Sequence, residues 1–118
     1  MSNQIVEQPR TSAGAGISVI GFNRVNGPNT LRGFADIHIT GWHFRIIGCP
    51  CHAGDKGRRW IGLPGKPMTD GDGKPLRDKS TGKIRYVAAC AFDDRDLLMR
   101  FSDAAAAALD HYSPGWDR

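Results

Sequence analysis

The chain has 118 residues, 40% of them hydrophobic and 24% charged, with a formal net charge of +4. That is one domain with a modest core, and at this size much apolar surface stays uncovered when a chain folds alone, so a homodimer is expected. No run of about 18 uncharged apolar residues is present, which excludes a membrane-spanning helix, and the N-terminus has neither the basic start nor the apolar run of a signal peptide, so the expected location is cytoplasmic.

In chain order, residues 1–16 are polar and then Gly/Ala-rich and are expected as a mobile tail. "ISVIGFNRV" (17–25) is rich in β-branched and aromatic residues and predicts a strand, closed by the turn composition of "NGPN". "LRGFADIHIT" (31–40) alternates. Leu31, Ala35, Ile37 and Ile39 fall on or near one face, and Arg32, Phe34, Asp36, His38 and Thr40 on the other. After a turn at Gly41, "WHFRIIGC" (42–49) alternates again, "PCHAGDKG" (50–57) predicts a second turn, and "RRWIGLP" (58–64) a short fourth strand.

Residues 62–83 carry no apolar period and predict one long loop, within which "KPMTDGDGKPL" could form a hairpin with Asp-Gly at its tip. "IRYVAACAF" (84–92) predicts a fifth strand, apolar enough to be central. From Asp93 to Tyr112 the period changes. Leu97, Leu98, Phe101, Ala104, Ala105, Ala108, Leu109 and Tyr112 fit an amphipathic helix, with Asp93 or Asp94 as N-cap. Pro114 and Gly115 stop it, leaving 113–118 as a tail. The expected fold is α+β: one domain over 17–112, an antiparallel meander of four or five strands with one C-terminal helix packed on one face.

Several short motifs fail as chemistry. Three cysteines, Cys49, Cys51 and Cys90, do not make a secreted disulfide framework. In "CPCH" one residue separates Cys49 from Cys51, whereas zinc pairs need two to four, and no second pair follows. "DGDG" lacks the remaining acidic positions of a calcium loop, and "TGKI" lacks the early glycine of a phosphate loop. His38, His43, His52 and His111 are scattered and tied to no nucleophile. No metal, cofactor or enzymatic activity is expected.

The charge distribution is more informative. Residues 56–85 hold nine basic and three acidic side chains, whereas residues 86–118 hold three basic and six acidic. Aromatic rings accompany the basic zone: Trp60 follows Arg58 and Arg59, and Tyr86 follows Arg85. Phe34 shares a polar strand face with Arg32 and His38. Rings beside cations suit single-stranded nucleic acid, with bases stacked on the rings and phosphates met by Lys and Arg. The candidate contacts are Arg58, Arg59, Trp60, Lys66, Lys74, Arg77, Lys79, Lys83 and Arg85. The competing expectation is an interaction module whose basic zone docks an acidic protein.

"WIGLPGKPMTDGDGKPLRD" (60–78) resembles the segment typical of the bacterial SpoVG family: an aromatic-aliphatic strand ending in Pro64 and Lys66, an Asp-Gly turn at Asp72-Gly73 or Asp70-Gly71, then Arg77 and Asp78. The resemblance implies a small dimeric α+β regulator that binds DNA and RNA through basic residues. The chain departs from the family pattern in "CPCH", in the long apolar "KIRYVAACAF", and in an Asp- and Ala-rich helix without the basic residues expected there. That last departure leaves residues 56–85 as the expected nucleic-acid surface.

Overall fold

The computed structural model describes residues 16–27 and 29–118. The expected N-terminal tail therefore lies outside the described residues, apart from Gly16. Four strands form one antiparallel meander: β1 (Ile17–Arg24), β2 (Leu31–Ile39), β3 (Phe44–Ala53) and β4 (Arg59–Ile61), in that spatial order. A second, two-stranded sheet pairs β5 (Gly65–Pro67) with β6 (Tyr86–Ala88). One helix, α1 (Arg95–Tyr112), closes the chain. The α+β class and the meander are as the alternation implies.

The strand period of two decides which side is covered. Val19, Ala35, Ile37, Cys49, Cys51 and Ile61 point to one face and are buried beneath Phe101, Ala105, Ala106 and Leu109 of α1. Small residues on this side of the helix let it lie close across the strands. Asp94 caps α1, its carboxylate accepting from the Asp96 amide at 2.7 Å. Three register shifts, two between β2 and β3 and one between β1 and β2, bend and twist the sheet. Gly33 has no room for a side chain: a Cβ there would lie 2.5 Å from the Asn23 carbonyl oxygen and 2.7 Å from the Phe22 ring.

The edge strand β4 is tied to the helix by polar groups. The Ile61 amide donates to the buried Ser102 Oγ at 2.9 Å. The Arg59 guanidinium grips Asp110 with two hydrogen bonds, of 2.6 and 3.0 Å, and reaches Asp117 at 3.4 Å. Trp116 Nε1 donates to the same Asp110 carboxylate at 3.0 Å, and the Arg59 guanidinium lies 5.4 Å from the Trp116 ring centre.

Four expectations are corrected. Residues 113–118 are not a tail, because Trp116 is fully buried and belongs to the core. The 50–57 turn begins late, because β3 continues through Pro50, Cys51 and His52 to Ala53. Pro50 fits there because its carbonyl accepts from the Gly62 amide. Its nitrogen therefore faces the side where β4 has just ended, and no rung to β2 is lost. The turn before β3 spans Thr40–Trp42, so that strand starts at Phe44 rather than Trp42. The fifth strand is neither central nor part of the main sheet. Only Tyr86–Ala88 forms a strand, which is exposed and paired with β5 alone. Apolar composition signals burial against something without saying what, and the β4 edge that this strand would have joined is taken by α1, through the Ile61 amide on Ser102.

Candidate nucleic-acid interface

Residues 62–83 are not one loop. They fold, with β5 and β6, into a small arm of three limbs. The Met68 amide donates to the Arg85 carbonyl (2.7 Å), the Leu76 amide to the Met68 carbonyl (2.8 Å), and the Arg85 amide to the Leu76 carbonyl (2.9 Å). Two bridges, Thr69 with Pro75 and Arg77 with Ile84, complete the pairing. Met68, Leu76 and Ile84 are the arm's half-buried apolar residues. The hairpin suggested by "KPMTDGDGKPL" is present, and a second turn follows it.

Each turn is built by an aspartate. The Asp70 carboxylate accepts from the Asp72 and Lys74 amides at 2.8 and 3.0 Å, and the Asp78 carboxylate from the Ser80 and Thr81 amides at 2.8 and 3.0 Å. The amides of Thr81 and Ser80 hold the Asp78 carboxyl below its ordinary range. Gly73 and Gly82 supply the left-handed backbone that the turns require, at φ 83° and 74°. These carboxylates serve the arm's backbone and do not neutralise its cations.

Lys66, Lys74, Arg77, Lys79, Lys83 and Arg85 are all exposed. Among the described residues none of them has a carboxylate oxygen within 4.0 Å, and the ion pairs present belong to Arg59. Arg77 donates to the Gly82 carbonyl at 2.9 Å, which steadies the second turn. Arg59 is the exception among the expected contacts. Its guanidinium is occupied by Asp110, Asp117 and the Trp116 ring, so the candidate surface is left with Arg58, Trp60 and the six arm cations.

Beside the arm's root lies the sheet face that α1 leaves open. Register pairs His38 with Arg45, Phe34 with Pro50 and His52 with Trp60, and the residues between them, Ala35, Ile37, Cys49, Cys51 and Ile61, face the core. Phe34 is 37% exposed. The His52 and Trp60 rings stack in parallel, 5.1 Å apart and 6° from coplanar, and the Arg58 guanidinium sits 5.0 Å from the Trp60 centre. Thr30 Oγ1 lies 3.0 Å from His52 Nδ1. Burial first, and then the Arg32 charge, pulls the His52 pKa down, which favours the neutral ring. Arg24, Arg32 and Arg118 line an open hollow of about 310 Å³. Arg24 donates there to the Trp116 carbonyl at 3.1 Å and to the Arg118 carbonyl, while the buried Arg32 Nε has no partner among the described residues.

Arg45 and His52 join this surface without having stood out as candidates. The signal for them is the register of β3 against its neighbours, which a single strand's alternation does not carry. "CPCH" divides across the sheet: Cys49 and Cys51 face the core, and His52 faces the other way. Burial, the largest cause for each, pushes both thiols up to about 12, so they stay protonated. Cys90 is exposed and sits beyond the strand that had been expected to hold it. Among the described residues no three His, Cys, Asp or Glu side chains converge as a metal site, and no helix is long and apolar enough to cross a membrane. Compared with protein-family models, curated proteins and solved structures, the chain matches none of them.

Proposed function

We propose that this chain is a cytoplasmic nucleic-acid-binding regulator or accessory protein. On this reading it acts as a homodimer, holds single-stranded RNA or DNA with little sequence preference, and binds without catalysing a reaction. The observation that carries this is the arm: six exposed cations, unpaired with carboxylate, rooted beside the Trp60 ring and the Arg58 guanidinium. Phosphates meet Lys66, Lys74, Arg77, Lys79, Lys83 and Arg85. Bases stack against Phe34 and the exposed part of Trp60, each contributing about 1–3 kcal/mol. Membership of the SpoVG-like family is part of the same proposal. Its support is the run from β4 through Pro64 and Lys66 to the Asp72-Gly73 turn and Arg77-Asp78.

Electrophoretic shift with single-stranded DNA, RNA and duplex DNA at several salt concentrations tests it. With four or five phosphates engaged, log affinity falls against log salt with a slope of about −3. A flat response, or a pull-down partner that persists after nuclease treatment while nucleic acid fails to bind, returns the basic arm to the rival role of docking an acidic protein.

A further inference from the structure

Residues 86–91, "YVAACA", are exposed at every position and carry no charge. Tyr86 is 62% and Val87 49% accessible. They begin as β6, which has β5 on one side and, among the described residues, no strand on the other. Arg85 directs both its amide and its carbonyl toward the arm's interior, to Leu76 and Met68. Strand alternation therefore turns the amides and carbonyls of Tyr86 and Ala88 to the open side. An apolar, uncharged edge of this kind is what folded chains ordinarily cover, charge or twist away.

The flanks say what covers it. Lys83 and Arg85 precede the run, and Asp93, Asp94, Arg95 and Asp96 follow it, a flank of net charge −2. A basic–apolar–acidic order is complementary to itself when two copies lie antiparallel, because each basic flank then meets the other's acidic flank. Side by side in parallel, like charges would meet. Antiparallel self-pairing is also what a two-fold axis produces. A six-residue ribbon alone is small against the total of roughly 1,200 Å² that stable interfaces bury. The next exposed apolar residues along the chain are Leu97, Leu98 and Met99, on the first turns of α1. Phe92, by contrast, turns inward, half-buried and 5.4 Å from the Phe101 ring, and pins the run to its own chain.

We infer that β6 is the seam of a two-fold dimer. Tyr86–Ala88 of one copy pair antiparallel with the same residues of a second copy, joining two arms into a four-stranded sheet, and the exposed residues 89–91 that follow the bend at Ala89 extend the contact. The inference rests on the two-copy part of the proposed function and names its surface.

Sedimentation equilibrium of the full chain is expected to give twice 12.9 kDa. Ala88→Pro removes an open-side amide and leaves the β5 rungs in place, so it should weaken dimerisation at least about tenfold. Its circular dichroism and melting check that it folds. A second series does not depend on proline. In a Cys90→Ser background, single cysteines at 87, 88 and 89, compared with native Cys90, should give oxidised dimer that peaks at one position. A cysteine at Ser80 in the same background should give little. Arg85→Asp should dissociate the dimer, and Arg85→Asp with Asp93→Arg should restore it. A mass of 12.9 kDa at about 50 µM, cross-linking without positional preference, or a dimer indifferent to Arg85→Asp overturns the inference. Binding by the Ala88→Pro variant is read separately. A retained salt slope in a monomer leaves the nucleic-acid reading standing when the seam fails, and a lost slope in an intact dimer does the reverse.

Discussion

The body of the molecule and its arm are built by different means. In the body, Ala35, Ile37, Cys49, Cys51, Leu109 and Trp116 are fully buried, and a one-residue slip of any strand would turn its apolar set to water. The arm has Met68, Leu76 and Ile84, each only half-buried, and is shaped instead by two aspartate turns and a few backbone rungs. Apart from Arg77, which bonds the Gly82 carbonyl, its cations sit on a scaffold that does not depend on them, so charge there can change with little effect on folding. In the body almost any change is felt.

Trp116→Ala should mark the largest contrast. It empties a buried site and removes the ring that Arg59 stacks on and the indole that holds Asp110, so a loss of about 3–5 kcal/mol is expected in urea unfolding. Gly33→Ala should cost about 1–3 kcal/mol, because the added methyl meets backbone that cannot retreat. Ser102→Ala strands the Ile61 amide on the β4 edge and should cost about 1–3 kcal/mol, with faster hydrogen exchange at that amide.

His52 sharpens the comparison through pH. Its folded pKa lies below the ordinary 6.5, from burial first and then Arg32, so its contribution is complete above that pH and is lost as pH falls through the folded value. A melting temperature followed downward from neutral should decline in the native chain and stay flatter in His52→Gln. The smallest effect on stability belongs to the arm. Lys74→Glu, Arg77→Glu and Lys79→Glu together should cost no more than about 1 kcal/mol, the share of the lost Arg77–Gly82 hydrogen bond, while weakening binding and flattening its salt dependence. A triple variant that unfolds would erase the distinction between the two regions.

The same contrast explains what could be read in advance. Alternation in "LRGFADIHIT" and the three-to-four spacing from Leu97 to Leu109 announce β2 and α1, since burial imposes those periods directly. Asp94 as cap follows from local chemistry. Trp116 was invisible because Pro114 and Gly115 mark a stop, and a stop says nothing about whether the chain beyond it folds back. Arg59 looked like its neighbour Arg58. Only the third dimension brings Asp110 and Asp117, both distant in sequence, to one guanidinium and leaves the other on the Trp60 ring. For "YVAACAF", composition pointed to a covered central strand, whereas residues 86–91 are exposed and only Phe92 packs inward, because apolar composition does not say which surface a run meets. The candidate surface was legible in its cations and in Trp60. The parts contributed by Arg45 and His52 depend on cross-strand register.

The clasp between Arg59 and α1 has a mechanical consequence. Arg59 and Ile61 are among the last residues before the chain enters the arm, and each is fastened by a polar group to the helix, Ile61 to Ser102 near its middle and Arg59 to Asp110 in its last turn. A tug on the arm by a long, flexible polymer is therefore delivered to α1 at two bolted points, and the strands behind it are spared from being peeled apart one by one.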